Sequence, residues 1–241
     1  DRIKKDEGNI YLNYYSFIKL TQAFATNNLD KAFLNSAFLD LNIENYHISL
    51  SGFSFADSNT TLQMVKGVAG APLDITEVIS NSTMILEHFS FQDPYYWRDQ
   101  QKNTDQLDLK SSYFDTSVIP RDALKFMDSE IGRAVQLRNG QKVPILIVEC
   151  SNSENFINYL SAIANQIPNQ QSDQFFVERY NEHIIQQLPI KNLPALLFGS
   201  IARDLTDGYY SSFKNYVLIS PNLPVLKGFL SDILTENTWG Q

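Results

Sequence analysis

The chain is poor in the residues that most often carry chemistry. Among 241 residues it has one cysteine, Cys150, and three histidines, His47, His88 and His183. A single cysteine cannot close an internal disulfide, and none of these four residues stands at zinc-ligand spacing. No Lys, Arg or His adjoins Cys150 to activate its thiol, so it reads as a small buried side chain at a strand end. HxH and HExxH pairs are missing, and so is the GxSxG elbow of a serine hydrolase. "VKGVAGAP" (65–72) has glycines but lacks GxxxxGK[ST], and no clear strand feeds it, which argues against a phosphate loop. No metal or cofactor is expected. Lys and Arg number 19 against 27 Asp and Glu, a net charge of −8. With no basic cluster to offset that, nucleic acid and anionic membrane surfaces are poor partners. No apolar run approaches the ~18–20 residues of a membrane span, so no membrane insertion is expected of this stretch. The opening "DRIKKDE" has no initiator methionine and reads as a fragment or processed form.

What the chain does have is core material. Hydrophobic residues make up 43% and aromatics 12%, enough to argue against disorder over the whole length. "GNIYLNY" (8–14) predicts a strand, and Ser16 caps a helix through about Ala25. Residues 36–56 predict a hairpin. Leu39, Leu41 and Ile43 alternate with polar residues before a Glu44-Asn45 turn, and Tyr46, Ile48 and Leu50 alternate after it. At Gly52 the phase slips so that Phe53 and Phe55 become the apolar pair, which predicts a β-bulge. Residues 57–82 read as connection, 82–91 as a strand, and Asp93-Pro94 as a helix start. Residues 99–118 are polar, and "RDALKFMDSEI" (121–131) predicts a short helix.

Asn139-Gly140 between two β-like runs predicts a hairpin ending at Cys150. Asn152 or Ser153 caps a helix carrying Phe156, Ile157, Leu160, Ile163 and Ile167, which Pro168 and a polar loop end. A hairpin turning at Asn181-Glu182 follows, then a helix over 193–205, two strands around Lys214-Asn215 and a last helix over 223–235. The last two helices begin with Asn-Leu-Pro-x-Leu, at Asn192 and Asn222. Asn is a preferred N-cap and Pro loses no intrahelical bond in the first turn, so both runs read as helix-start punctuation. Hairpins alternating with helices predict an α+β fold, antiparallel sheet with helices packed on one face. Strand-cap-helix recurs at 9–25, 84–100, 144–167 and 216–235. That points to two related α+β halves, 8–80 and 82–241.

The order "NIYLNYYSFIKL", "ISLSGFSF", "DSEIGRAVQL" with "PILIVECSNSENFINYL", and "NYVLISPNLPVLKGFLSDILTENT" is similar to large envelope proteins of Bacteroidota. These resemble domain-of-unknown-function family 3352. Gly132-Arg133 stands where that family has a Gly-acidic pair, and Glu236 where Gly precedes Asn-Thr. The resemblance implies a middle piece of a longer, membrane-anchored chain exposed outside the cytoplasm, in the periplasm or cell envelope. It implies no site residue.

Candidates for chemistry are few. Carboxylates in β-like contexts are Asp40, Glu87, Glu149 and Glu178. Glu87 and His88 are adjacent on a strand and point to opposite faces, so they cannot form a local dyad. The best recognition candidate is "DPYYWRDQQ", where Tyr95, Tyr96, Trp97 and Arg98 could stack on a sugar or grip a protein. Tyr209 and Tyr210 are a weaker second case. The expected function is a non-enzymatic extracytoplasmic binding or scaffold module, with a protein or glycan as partner. The alternative is a glycan-binding or glycan-hydrolysing protein.

Overall fold

Alternating apolar and polar residues become strands where a neighbour is available to pair. In the computed structural model, which describes residues 8–16, 35–44, 47–55, 73–97, 119–165 and 177–240, they do so in two separate sheets. The chain divides into two compact units, Asp1–Val68 and Ala69–Gln241. The fold is α+β, and both sheets are antiparallel.

The first unit holds β1 (Gly8–Asn13), β2 (Ser36–Glu44) and β3 (His47–Phe55), in the order β1-β2-β3. β2 runs through Glu44, the first residue of the expected turn, and Glu44 pairs with His47. Register is unbroken from that pair to Ser36 opposite Phe55. The expected bulge at Gly52 is therefore not formed. Gly52 lies opposite Leu39, where a Cβ would stand 2.0 Å from the Phe38 carbonyl oxygen. The glycine marks a close backbone approach, not an extra residue. The phase change simply moves Phe53 and Phe55 to the face opposite Leu50. The helix expected to be capped by Ser16 starts earlier: residues 14–16 are already helical, and Asn13 is the cap, its Oδ1 accepting the Ser16 N–H at 3.0 Å. Residues 17–34, 45–46 and most of 57–82 lie outside the described residues.

The second unit holds β4 (Thr83–Ser90), β5 (Met127–Arg138), β6 (Gln141–Cys150), β7 (Val177–Tyr180), β8 (His183–Gln187), β9 (Tyr209–Phe213) and β10 (Tyr216–Ser220). They form one sheet, ordered β4-β5-β6-β10-β9-β8-β7. The helices are α1 (Ile119–Leu124), α2 (Ser153–Asn165), α3 (Leu193–Phe198) and α4 (Leu223–Leu234). Short 3-10 helices add Asp74–Val78 and Gly199–Ala202.

Helices cover both faces of this sheet, not one. Leu146, Val148, Val217 and Ile219 face a core shared with Phe156 and Leu160 of α2 and Leu197 and Phe198 of α3. Ile145, Ile147, Tyr216 and Leu218 face the other core, with Leu226, Phe229 and Leu230 of α4 and with Ile75 and Val78. The cause is legible in "VPILIV" and "YVLI": neither run alternates apolar with polar residues, and such strands need cover on both sides. β10 is buried throughout.

Two further departures share a cause. Met127–Ile131, expected to be helical, begins β5, because β4 and β6 offer partners on both sides. Residues 73–80, expected to be connection at the end of the first half, fill the second core through Ile75, Val78 and Ile79. The unit boundary accordingly falls at 68/69, ahead of the expected 80/82. This segment is pinned at its far end by the tail. Trp239 N–H donates to Ile79 O at 2.9 Å and Gly240 N–H to Thr76 O at 3.1 Å. Ser80 and Ser82 hydroxyls meet Asp232 of α4.

Candidate functional site

Among the described residues, an array of exposed aromatic rings lies on the three-stranded sheet. Direct pairing sets Tyr11 opposite Phe38, and Phe38 opposite Phe53. Residues directly opposite share a face, so the three rings form a row across all three strands. They are 66%, 43% and 75% exposed. Phe55, one row along, is exposed too. One flanking row is polar, Asn9, Asp40 and Ser51; the other sets Asn13 and Ser36 beside Phe55. The opposite face carries Leu12, Ala37, Leu39, Leu41, Ile43 and Leu50, and includes buried Ala37. β1, β2 and β3 thus separate an aliphatic face from an aromatic one by strand alternation alone.

The predicted recognition cluster is divided. Asp93 Oδ1 accepts the Tyr95 N–H at 2.8 Å, capping the helical turn as its type suggests. Tyr95 and Tyr96 are exposed. Trp97 is only 4% exposed and stacks on Phe91, with ring centroids 5.2 Å apart. It packs the turn onto the sheet and offers no face to a ligand. Arg98 lies outside the described residues. Of the second pair, Tyr210 is buried, its hydroxyl donating to Gln186 Oε1 at 2.5 Å.

The candidate carboxylates are mostly held by structural partners. Glu87 lies 3.4 Å from Arg133, which also pairs with Asp204. Arg133 is thereby a tie between β4, β5 and the segment after the second 3-10 helix. Glu149 accepts from the Ser129 N–H and hydroxyl at 3.2 and 2.9 Å and from Asn215 Nδ2 at 3.1 Å. Glu178 pairs with Lys227 at 2.5 Å. Asp40 flanks the aromatic row. His183 Nδ1 meets the Ser212 carbonyl oxygen at 2.9 Å; the side chain of His47 lies outside the described residues. Burial pushes the Cys150 thiol far up, as an inert core thiol requires.

One acid escaped the sequence reading. Glu130 of β5 is 1% exposed, and its carboxylate accepts the N–H groups of Asp74 and Ile75 at 3.2 and 2.8 Å. His88 Nε2 lies 3.2 Å from Glu130 Oε1, at ion-pair distance but without hydrogen-bond geometry. Glu87 and His88 do point to opposite faces, each to its own partner. Burial raises the Glu130 carboxyl above the ordinary carboxylate range; His88 and the two amides pull it back in part, and Glu149 adds to the rise. The hydroxyl of Tyr216 is raised by burial and then by Glu149 and Glu130. This group anchors the 3-10 helix Asp74–Val78 to the sheet.

No protein-family model, curated protein or solved structure matches this chain. Among the described residues no three His, Cys, Asp or Glu side chains converge to hold a metal ion. No helix among them is long and apolar enough to cross a membrane. The aromatic row was missed in sequence because its members are 15 to 42 positions apart and meet only through register. Phe53 and Phe55 share β3 with Leu50 but stand at the other parity, and since Leu50 is itself 51% exposed, alternation gives their face and not their exposure.

Proposed function

We propose that this chain is a non-enzymatic binding module whose ligand surface is the aromatic face of the three-stranded sheet. The observation that carries this reading is the row Tyr11–Phe38–Phe53, three large rings in direct register and exposed together. Leaving contiguous apolar surface in water is unfavourable, and such patches mark interaction sites. Aromatic rings are the side chains best suited to supply contact area at low entropic cost. The reading of a binding function over catalysis is supported by the partners of Glu87, Glu149, Glu178 and His183, which hold the fold together. A setting outside the cytoplasm is proposed on the envelope-protein resemblance.

A Phe53→Trp variant places a fluorescent reporter in the row. Its emission, measured as the difference from the native chain, should shift saturably with one class among neutral oligosaccharides, unstructured peptides and phosphatidylcholine vesicles. Adding Phe38→Ser should abolish the response. A flat signal with all three classes would sink the binding reading.

A further inference from the structure

We infer that the ligand of this face is a neutral glycan chain laid across the three strands, an inference that rests on the binding reading above. The flanking rows decide the chemistry. A sugar ring presents an apolar C–H face and a rim of hydroxyls. The C–H face fits an aromatic platform, and the rim needs donors and acceptors on either side. Tyr11, Phe38 and Phe53 supply the platform. Asn9, Asp40 and Ser51 on one flank supply amide, carboxylate and hydroxyl groups; on the other, Ser36 supplies a hydroxyl beside Phe55, and Asn13, whose Oδ1 is taken by the Ser16 N–H, supplies only its amide N–H groups. Amides and hydroxyls both donate and accept, and a carboxylate can accept from two neighbouring hydroxyls at once.

The other occupants fit less well. Among the described side chains of this face none is Lys or Arg, and Asp40 is acidic. Phosphate of a nucleic acid or an anionic lipid would meet no cation and one like charge. A neutral bilayer would bury the Asn, Ser and Asp rows against hydrocarbon without partners. A peptide joining this sheet would be read chiefly through the backbone of an edge strand, not through a row at its centre. The row crosses two strand spacings, about 10 Å, so it accommodates more than one sugar ring, and successive rings would lie along Tyr11, Phe38 and Phe53.

The test is calorimetric titration of the full chain with neutral oligosaccharide series (gluco-, xylo-, manno- and chito-oligosaccharides of increasing length). Polygalacturonate, an unstructured peptide and phosphatidylcholine vesicles serve as comparisons. One neutral series should bind saturably and tighten with length until the row is filled. Phe38→Ala and Phe53→Ala should each weaken it at least tenfold, with Asp40→Asn weakening it less. Should Phe38→Ala fail to fold, Phe53→Ala on the outer strand carries the test. Binding of a neutral series that survives Phe53→Ala would overturn the inference. So would binding of peptide or vesicles without any neutral glycan, a result that leaves the binding reading standing. Silence from every probe would remove both.

Discussion

Two asparagines show how far one residue's surroundings govern its part. Asn192 and Asn222 both precede Leu-Pro, yet only Asn222 acts as the expected cap, its Oδ1 accepting the Val225 N–H at 3.0 Å. Asn192 sits in the left-handed region with φ 60° and makes no side-chain cap bond; its own N–H goes instead to Thr206 O. Asn222→Ala should therefore cost about 1 kcal/mol, whereas Asn192→Gly should leave stability unchanged or raise it, because glycine adopts that conformation freely. Equilibrium urea unfolding of the two variants checks the contrast. Glu130 gives a pH prediction. Its carboxyl is raised in the fold, so its contribution to stability is fully present below the unfolded-state value and is lost as pH rises through the folded one. The stability of the native chain should fall over that interval relative to Glu130→Gln, whose unfolding should lack this component. Parallel pH slopes for the two proteins would contradict it.

At the scale of elements, pairing partners override local propensity. "KFMDSEI" has helical spacing, but β4 and β6 each offer it a ladder, and Met127 and Ile131 end in the core as strand residues. The 3-10 helix Asp74–Val78 has no amphipathic run of its own. It exists where Glu130 takes its first two N–H groups and where Gly132 leaves room, since a Cβ there would stand 2.6 Å from Ile75 Cδ1. α4, by contrast, was legible from its sequence: the 3.6-residue spacing of Leu226, Phe229, Leu230 and Ile233 is the stripe that packs on the sheet. Phe229 is fully buried in that stripe. Phe229→Ala should destabilise the second unit by roughly 3–5 kcal/mol, seen as an earlier denaturation midpoint with an unchanged slope. A loss below about 1 kcal/mol would mean that α4 does not hold this core.

At the scale of the whole molecule, the two units use strand alternation in opposite ways. In the second, β6 and β10 bury both parities between helices, and their ladders are wrapped on either side. In the first, aromatic and aliphatic side chains are kept apart by parity, and both faces hold exposed members, the rings on one and Ile10, Ile43 and Leu50 on the other. Exposure predicts a separation of stability from binding. Phe53→Ser should change the thermal midpoint little, because its ring is already exposed, while removing the ligand response. A large loss of stability would show that the row is held for packing.

The sequence by itself determined the α+β class, most of the strands, α2 and α4, and the hairpin turn at Asn139-Gly140. All of these rest on periodicity and on turn residues that act within a few positions. The double-sided cover of the larger sheet was also written there, in "VPILIV" and "YVLI", where alternation is missing. Only the tertiary structure decided which rings meet. A hairpin turn displaced by one residue moves every cross-strand partner by two. With the turn expected at Glu44-Asn45, Phe38 would face Ser51; with Glu44 paired to His47, it faces Phe53 and completes the row with Tyr11. Likewise, nothing near Glu130 in sequence announces His88 or the amides of Asp74 and Ile75. Such partners are chosen by the packing of distant segments, and that choice carries no local periodic signal.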